Sequence, residues 1–564
     1  MIIRPEILSK RVIGRVGNGI YKGFNRPVAL GSMALVVAMI TWIIVSPDSA
    51  TEVLSVGKQM TLTVFRAWYV YALAGFVAFC FVIVLLPVSA RIRLGGNDSM
   101  PDYSTGSWLS MMFCAGIGAG VLIYSVSEPL AHLASNPQSL LGELSATDAH
   151  AGRIALSYTY LHWGLSSWSC YAVLGLAIAL YSYRYGMPLT VRTALAPLLG
   201  REFGRSAGNL IDVFSIFAII VGVATTLGYG VAQFVSGAHA VTGFNTLVES
   251  DNSPRLMWQL VALVFAAAVA TGSVVLGVAR GIKWLSNLST FLFFAVLFTF
   301  FILGDTGAVA RLGEALWEYV AQFPQMATMV ASEGGPVAQW QTDWTIFYWT
   351  WWIAFAPFVA LFLARVSRGR TLREFILGCV FMPVCICTVW FAFVGGAAID
   401  VQLNPALGVD LYQTPISGQI YQTFYTLAGP AVGTVGNLLI ALLLLLLLIT
   451  TLNAAILAIN TIAAAGDETC RVPFHVVTWG VSITLIIGSL VAAGGTDSVR
   501  DAMILGALPF SFVIALSAIS TIVALAYEAA KAKMRSGQGA SEQLHQQSGG
   551  RAVDRSLVNQ TQKN

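Results

Sequence analysis

A chain of 564 residues that is 57% hydrophobic and only 10% charged carries more apolar side chains than one soluble core can hide, which excludes a water-soluble globular enzyme and implies a polytopic membrane protein. The net charge of +4 comes from basic residues spread between apolar runs rather than gathered on one domain, so no nucleic-acid partner is expected. Runs of roughly 20 apolar residues cross a bilayer as helices, because a helix satisfies its own backbone groups in lipid.

In chain order, residues 1–27 form a basic segment. No small-residue cleavage site closes the apolar run that follows it, so the first span is expected to stay in place. Spans are expected at 28–45, 68–87, 108–127, 154–182, 211–235, 257–279, 285–303, 344–364, 374–395, 433–460, 473–493 and 502–527. The fold class is therefore all-α, with about 12 transmembrane helices. Most of the 31 Lys and Arg residues fall in the N-terminal segment, the even-numbered connections and the C-terminal tail, which puts both termini in the cytoplasm. The connection 304–343 has Leu312, Leu316, Tyr319, Val320 and Phe323 at helical spacing beside Glu314 and Glu318. It reads as an amphipathic helix on the outer surface, with a solvated loop as the alternative. The tail 528–564 is rich in Gln, Ser and Gly and is expected to be disordered. Cys80, Cys114, Cys170, Cys379, Cys385 and Cys387 lie inside apolar runs without metal-site spacing, as packing residues.

Three features carry function. Gly116, Gly118 and Gly120 alternate in the third span, so they do not share one helical face as a packing stripe would. They fit a local unwinding that exposes backbone to a substrate or ion, against the alternative of close helix packing. A comparable break is expected in the eighth span at Ala354–Pro357, where proline removes a helical hydrogen bond. Spans three and eight are five apart, which points to inverted repeats, 108–303 and 344–527, preceded by two additional helices at 28–87. Finally, His162, Trp163, Trp168 and Tyr171 sit near the midpoint of the fourth span rather than in an interfacial belt, and on a regular helix Trp163, Trp168 and Tyr171 share one broad face. A quaternary ammonium or sulfonium group has no proton to donate and is held by ring faces, so such a cluster suits it.

The run WTIFYWTWWIAFAPFVALFLARVSRGRTLREF from Trp344 to Phe375 has five aromatic residues within six positions and four arginines after its apolar part. With HWGLSSWSCYAVLGLAIA and the GIGAG stretch followed by SEPL, it resembles the betaine/carnitine/choline transporter (BCCT) family, betaine type. The resemblance implies a LeuT-type 5+5 core in spans three to twelve, two extra N-terminal helices, a homotrimer in the plasma membrane, and alternating access. It implies a trimethylammonium box of Trp163, Trp168, Tyr171 and Trp352, with Trp351 and Phe355 lining the path. Phe355 departs from the Trp usual there, which makes a relative of glycine betaine such as dimethylsulfoniopropionate plausible. Gly120 stands where choline carriers tend to have Asp; a zwitterion brings its own counter-charge, and its carboxylate end would be repelled by an acidic side chain at this position. Backbone N–H groups from Gly116 to Gly120 would hold the substrate carboxylate, and Thr226 would touch the substrate.

The family's sodium ligands match Thr450 and Thr451 with the carbonyls of Ala115 and Ile117, and Phe358 is retained beside them. A second sodium site falls on Ile219 and Val223, which cannot coordinate an ion. Hydroxyls bonded back to their own helix are the alternative for the two threonines. The expectation is a secondary transporter importing a methylated zwitterionic osmolyte with Na⁺ as coupling ion and no cofactor. A Na⁺-independent exchanger of trimethylammonium compounds is the second reading. An intramembrane enzyme is not expected, because no metal-ligand pair or nucleophile–base pair is evident. The arginines after the eighth span read as topology anchors, with a gating role for Arg368, Arg370 and Arg373 as the alternative.

Overall fold

The computed structural model describes residues 13–116, 118–145, 150–277, 279–305, 307–332 and 334–560, without side chains for 113–116, 279–283, 532–533 and 535–560. Among these residues there is no strand, only helices and three isolated bridges. Ten helical stretches are long and apolar enough to cross a membrane. The difference from twelve has two causes. The third span is cut into α3 (Thr105–Gly116) and α4 (Ala119–Tyr124), each too short to count alone. The last two spans join in one helical run, Pro473–Gln560, which bends where Gly494 and Gly495 leave helical φ/ψ.

Around α3 and α4, the chain forms α1 (Arg26–Val45) and α2 (Pro47–Leu85) before them. After them come α5 (Ser127–Ala134), α6 (Ala151–Trp163), α7 (Leu165–Ala179) and α8 (Ser206–Thr242). Further on lie α9 (Leu256–Val275), α10 (Ala279–Leu303), α11 (Ala308–Thr328), α12 (Phe347–Val366) and α13 (Gln419–Ala463). The α6–α7, α8 and α12 stretches are the most deeply enclosed, at 94%, 72% and 83% buried, against 33% and 28% for α9 and the apolar part of α10. The center of the molecule is therefore built from the helices that carry the candidate site.

Three expectations are corrected. Helix α12 runs unbroken through Pro357; its irregularity is a π-helical turn at Thr342–Ile346, just before it. Membrane helices tolerate a proline where neighbors satisfy the freed backbone, and α8 packs close just before it: a Cβ on Gly222 would lie 3.0 Å from Phe355 and 3.1 Å from Ala354. The fourth span is not a regular helix either, because Gly164 (φ −100°, ψ −134°) separates α6 from α7. The arginines after α12 are also more than anchors: Arg365 pairs with Glu468, and Arg370 donates to Thr105 Oγ1 (3.1 Å) and the Tyr103 carbonyl (2.8 Å).

The 304–343 connection does contain an amphipathic helix, α11. It buries Ala315 and Tyr319 and leaves Leu316, Trp317 and Val320 exposed.

An aromatic cavity beside a buried carboxylate

Helix breaks place the side chains of the site. At the first, Gly118 is extended (φ −87°, ψ −171°) and starts α4, so the unwinding expected from the alternating glycines is present at Gly118. Ile117 lies outside the described residues, and only the helical backbone of Ala115 and Gly116 is described. At the second, the turn at Gly164 frees carbonyls at the end of α6, and side chains take them. Trp352 Nε1 donates to the His162 carbonyl (3.0 Å), Trp168 Nε1 to the Trp163 carbonyl (3.1 Å), and Ser167 Oγ to the His162 carbonyl. From α11, Tyr319 accepts a hydrogen bond from the Leu165 N–H (3.0 Å).

These bonds set the indole planes. Trp163 and Trp352 meet edge to face at 5.2 Å, Trp352 and Tyr171 at 5.3 Å, and Trp163 and Trp351 at 6.1 Å. Between them lies a small cavity of about 30 Å³, well below the range for ligand pockets, so the rings must part to admit a ligand. Its walls are Gly118, Gly120 and Val121 from the interrupted third span, Trp163 and Tyr171 from the fourth, Thr226 from α8, and Trp351, Trp352 and Phe355 from α12. Of the residues expected from sequence, Trp168 alone among those described in full is brought near but not into the lining. It is fully buried behind Tyr171 (5.7 Å) and Trp352 (6.0 Å), turned away because the helix assumed regular is broken at Gly164. Val121 was missed; its only signal is that it follows the glycine break.

Two details bear on chemistry. The Thr226 hydroxyl is buried without a hydrogen-bond partner while the residue lines the cavity, so a polar ligand group there would satisfy it. A Cβ on Gly120 would lie 2.8 Å from Trp351 and 3.3 Å from Trp163, so any side chain at this position must displace the rings.

For the expected sodium ligands the picture divides. Thr450 Oγ1 donates back to the carbonyls of Leu446 (2.9 Å) and Leu447 (3.1 Å). Thr451 Oγ1 instead faces the glycine break, 3.7 Å from the Cβ position of Gly118. Ile219 and Val223 are fully buried.

Behind Trp163 lies a polar cluster that sequence reading did not assemble. Glu128 is fully buried. Its Oε2 accepts from Trp163 Nε1 (2.6 Å) and Tyr348 Oη (2.5 Å). Its Oε1 lies 2.7 Å from His162 Nδ1 and 3.2 Å from His132 Nε2. The expectation that no metal-ligand set exists is thus corrected in one respect: donor atoms of Glu128, His132 and His162 fall within 4.8 Å of one another. Glu128 and His162 were both visible as ionizable residues in an apolar context, which is the signal that could have joined them.

Comparisons with known proteins decide the family. Residues 27–530 match the betaine/carnitine/choline family transporters. The chain belongs to that family. A glycine betaine transporter of Bacillus subtilis (strain 168), OpuD, is 32% identical over 88% of this chain and 93% of its own length. Glycine betaine transporter 1 of Vibrio parahaemolyticus serotype O3:K6 is 33% identical over 82% of this chain and 86% of its own. An uncharacterized transporter of Mycobacterium bovis is 36% identical over 82% and 76%. This BCCT chain is therefore a multi-pass membrane transporter and not an enzyme.

Proposed function

We propose that this transporter imports a methylated zwitterionic osmolyte, glycine betaine or a close analogue such as dimethylsulfoniopropionate, across the plasma membrane by alternating access coupled to Na⁺. The observation that carries this reading is the aromatic cavity. Indole and phenol rings of Trp163, Tyr171, Trp351 and Trp352 line it, which favors a cationic methylated head at ~0.5–2 kcal/mol per ring. The Gly118–Gly120 backbone and the unpartnered Thr226 hydroxyl border it as well, offering donors to a carboxylate. The names of the Bacillus and Vibrio relatives point the same way.

The rest of the reading follows the family. Two five-helix repeats, 108–303 and 344–527, form a LeuT-type core with 28–87 outside it, both termini are cytoplasmic, and three copies assemble. For Na⁺, Thr451 at the glycine break is the leading side chain, with Thr450 contributing lone pairs while its proton is held by its own helix. The apolar pair Ile219 and Val223 favors the second reading, a Na⁺-independent exchanger of trimethylammonium compounds, because one of the family's ion sites has no ligands here.

Uptake of labeled betaine into proteoliposomes separates the two. The coupled importer requires that an inward Na⁺ gradient accelerate uptake and that Thr451→Val abolish that dependence. Uptake indifferent to Na⁺ and accelerated by internal substrate establishes exchange instead.

A further inference from the structure

Glu128 lies outside the cavity lining, yet it is bonded to a residue that lines it. Every polar contact of its carboxyl group is to a group able to donate: the Trp163 indole and Tyr348 hydroxyl at Oε2, His162 and His132 at Oε1. With neutral imidazoles each donating one N–H, all four contacts are satisfied by a carboxylate; burial works against the charge, and these four donors, which favor the charged form, work against burial. His162 Nε2 is then the acceptor facing Thr345 Oγ1 at 3.1 Å. Among the described residues, the ion-pair partners of Glu128 are these two imidazoles, with no Lys or Arg among them. The cluster so protonated holds one uncompensated negative charge.

That charge sits at the indole nitrogen of Trp163, whose ring faces Trp351 and Trp352 across the cavity. An N–H donated to a carboxylate pushes electron density back into the ring, which deepens the negative potential over the ring face that attracts a cation. The carboxylate also acts on the cation directly through a low-polarity wall, where Coulomb attraction is weakly screened. We propose that Glu128 is a specificity-determining positioning residue: without touching the substrate, it supplies the counter-charge for the cationic head through the Trp163 indole. The transporter thereby distinguishes a positively charged methylated head from a neutral one of the same shape. This rests on the betaine reading of the cavity. A metal ion on the same three residues fits less well, since a dication there would repel the head that the aromatic wall attracts.

The test compares two ligands of one shape, glycine betaine and its carbon isostere 3,3-dimethylbutanoate, in which a quaternary carbon replaces nitrogen. Binding to the purified full-length transporter is read by tryptophan fluorescence, directly for betaine and by competition for the isostere. In the unsubstituted protein betaine binds more tightly, and the ratio of the two dissociation constants is the quantity of interest. E128Q keeps size and one acceptor oxygen and removes the charge; its NH2 group can donate to the imidazole nitrogens if they change tautomer. It is expected to weaken betaine about tenfold, equivalent to about 1.4 kcal/mol, and to leave the isostere within about twofold. E128D keeps the charge and is expected to preserve the ratio even where both affinities fall. An E128Q protein that loses both ligands equally, or neither, overturns the proposal and leaves Glu128 a structural tie between helices. So does a collapse of the ratio in E128D, which decides the matter if E128Q does not fold. Absence of betaine binding by the unsubstituted protein overturns the betaine reading itself, a distinct outcome.

Discussion

Two glycine breaks shape the site, and they are used in opposite ways. At Gly118 the backbone borders the cavity, with Gly120 and Val121 continuing the wall and Thr451 close by. At Gly164 the freed backbone groups are closed off by side chains: Trp352, Trp168 and Ser167 take the carbonyls, and Tyr319 takes the Leu165 N–H. The first break presents backbone to a ligand; the second converts backbone into a jig that holds indole rings. Unpaired peptide groups are costly in lipid, so a break survives only if a ligand, water or side chain satisfies it. Which of these does so indicates what the break is for.

The largest effect that tests this contrast is at Trp352, which serves both the cavity wall and the second break. Trp352→Ala removes a ring face and leaves the His162 carbonyl without its indole donor. It is expected to weaken betaine binding roughly 30- to 300-fold by isothermal titration, combining cation–π loss with a disordered cage. A change under threefold would separate the break from the cage. Next, Gly164→Ala places a Cβ against the Tyr160 carbonyl and 2.6 Å from Tyr319 Oη. Overpacking of this kind costs about 1–3 kcal/mol, so the protein should melt several degrees lower. Unchanged melting would mean that the turn tolerates a side chain.

Thr226→Val addresses the ligand-facing side alone. The lost hydroxyl has no protein partner, so folding should be unaffected, while a hydrogen bond to a substrate carboxylate is worth about 1.5–3 kcal/mol. Betaine affinity is therefore expected to fall about tenfold or more. Equal affinity in the two proteins would show that Thr226 borders the cavity without using it.

Much of this was legible in the residues themselves. The apolar runs gave the helices, the alternation of Gly116, Gly118 and Gly120 gave the unwound third span, and aromatic density in two spans gave the cage. What was hidden depends on contacts distant in sequence. A lone glycine in a helical pattern is usually tolerated, and nothing near Gly164 announces that Tyr319, 154 residues from Leu165, will cap the turn. The rotation that turns Trp168 behind Tyr171 follows from that hidden break. Pro357 misled in the other direction, since local chemistry predicted a break where the helix in fact continues. Glu128 drew its partners from positions 132, 162, 163 and 348, a set that only folding assembles.

The smallest expected effect is the sharpest check on the two uses of glycine. Tyr319→Phe keeps the buried ring and its edge-to-face contacts with Tyr160 (6.1 Å) and Phe323 (5.4 Å), and removes one acceptor from the Leu165 N–H. The loss should cost about 1 kcal/mol of stability, read as a small drop in melting temperature, with betaine affinity within about twofold, because three other side chains still hold the ring-setting carbonyls. If affinity instead falls as far as in Trp352→Ala, the Gly164 turn moves with the ligand rather than serving as its fixed frame. Helix α11 would then belong to the moving parts of the transport cycle, and the division between a presenting break and a holding break would fail at the point where it is most easily measured.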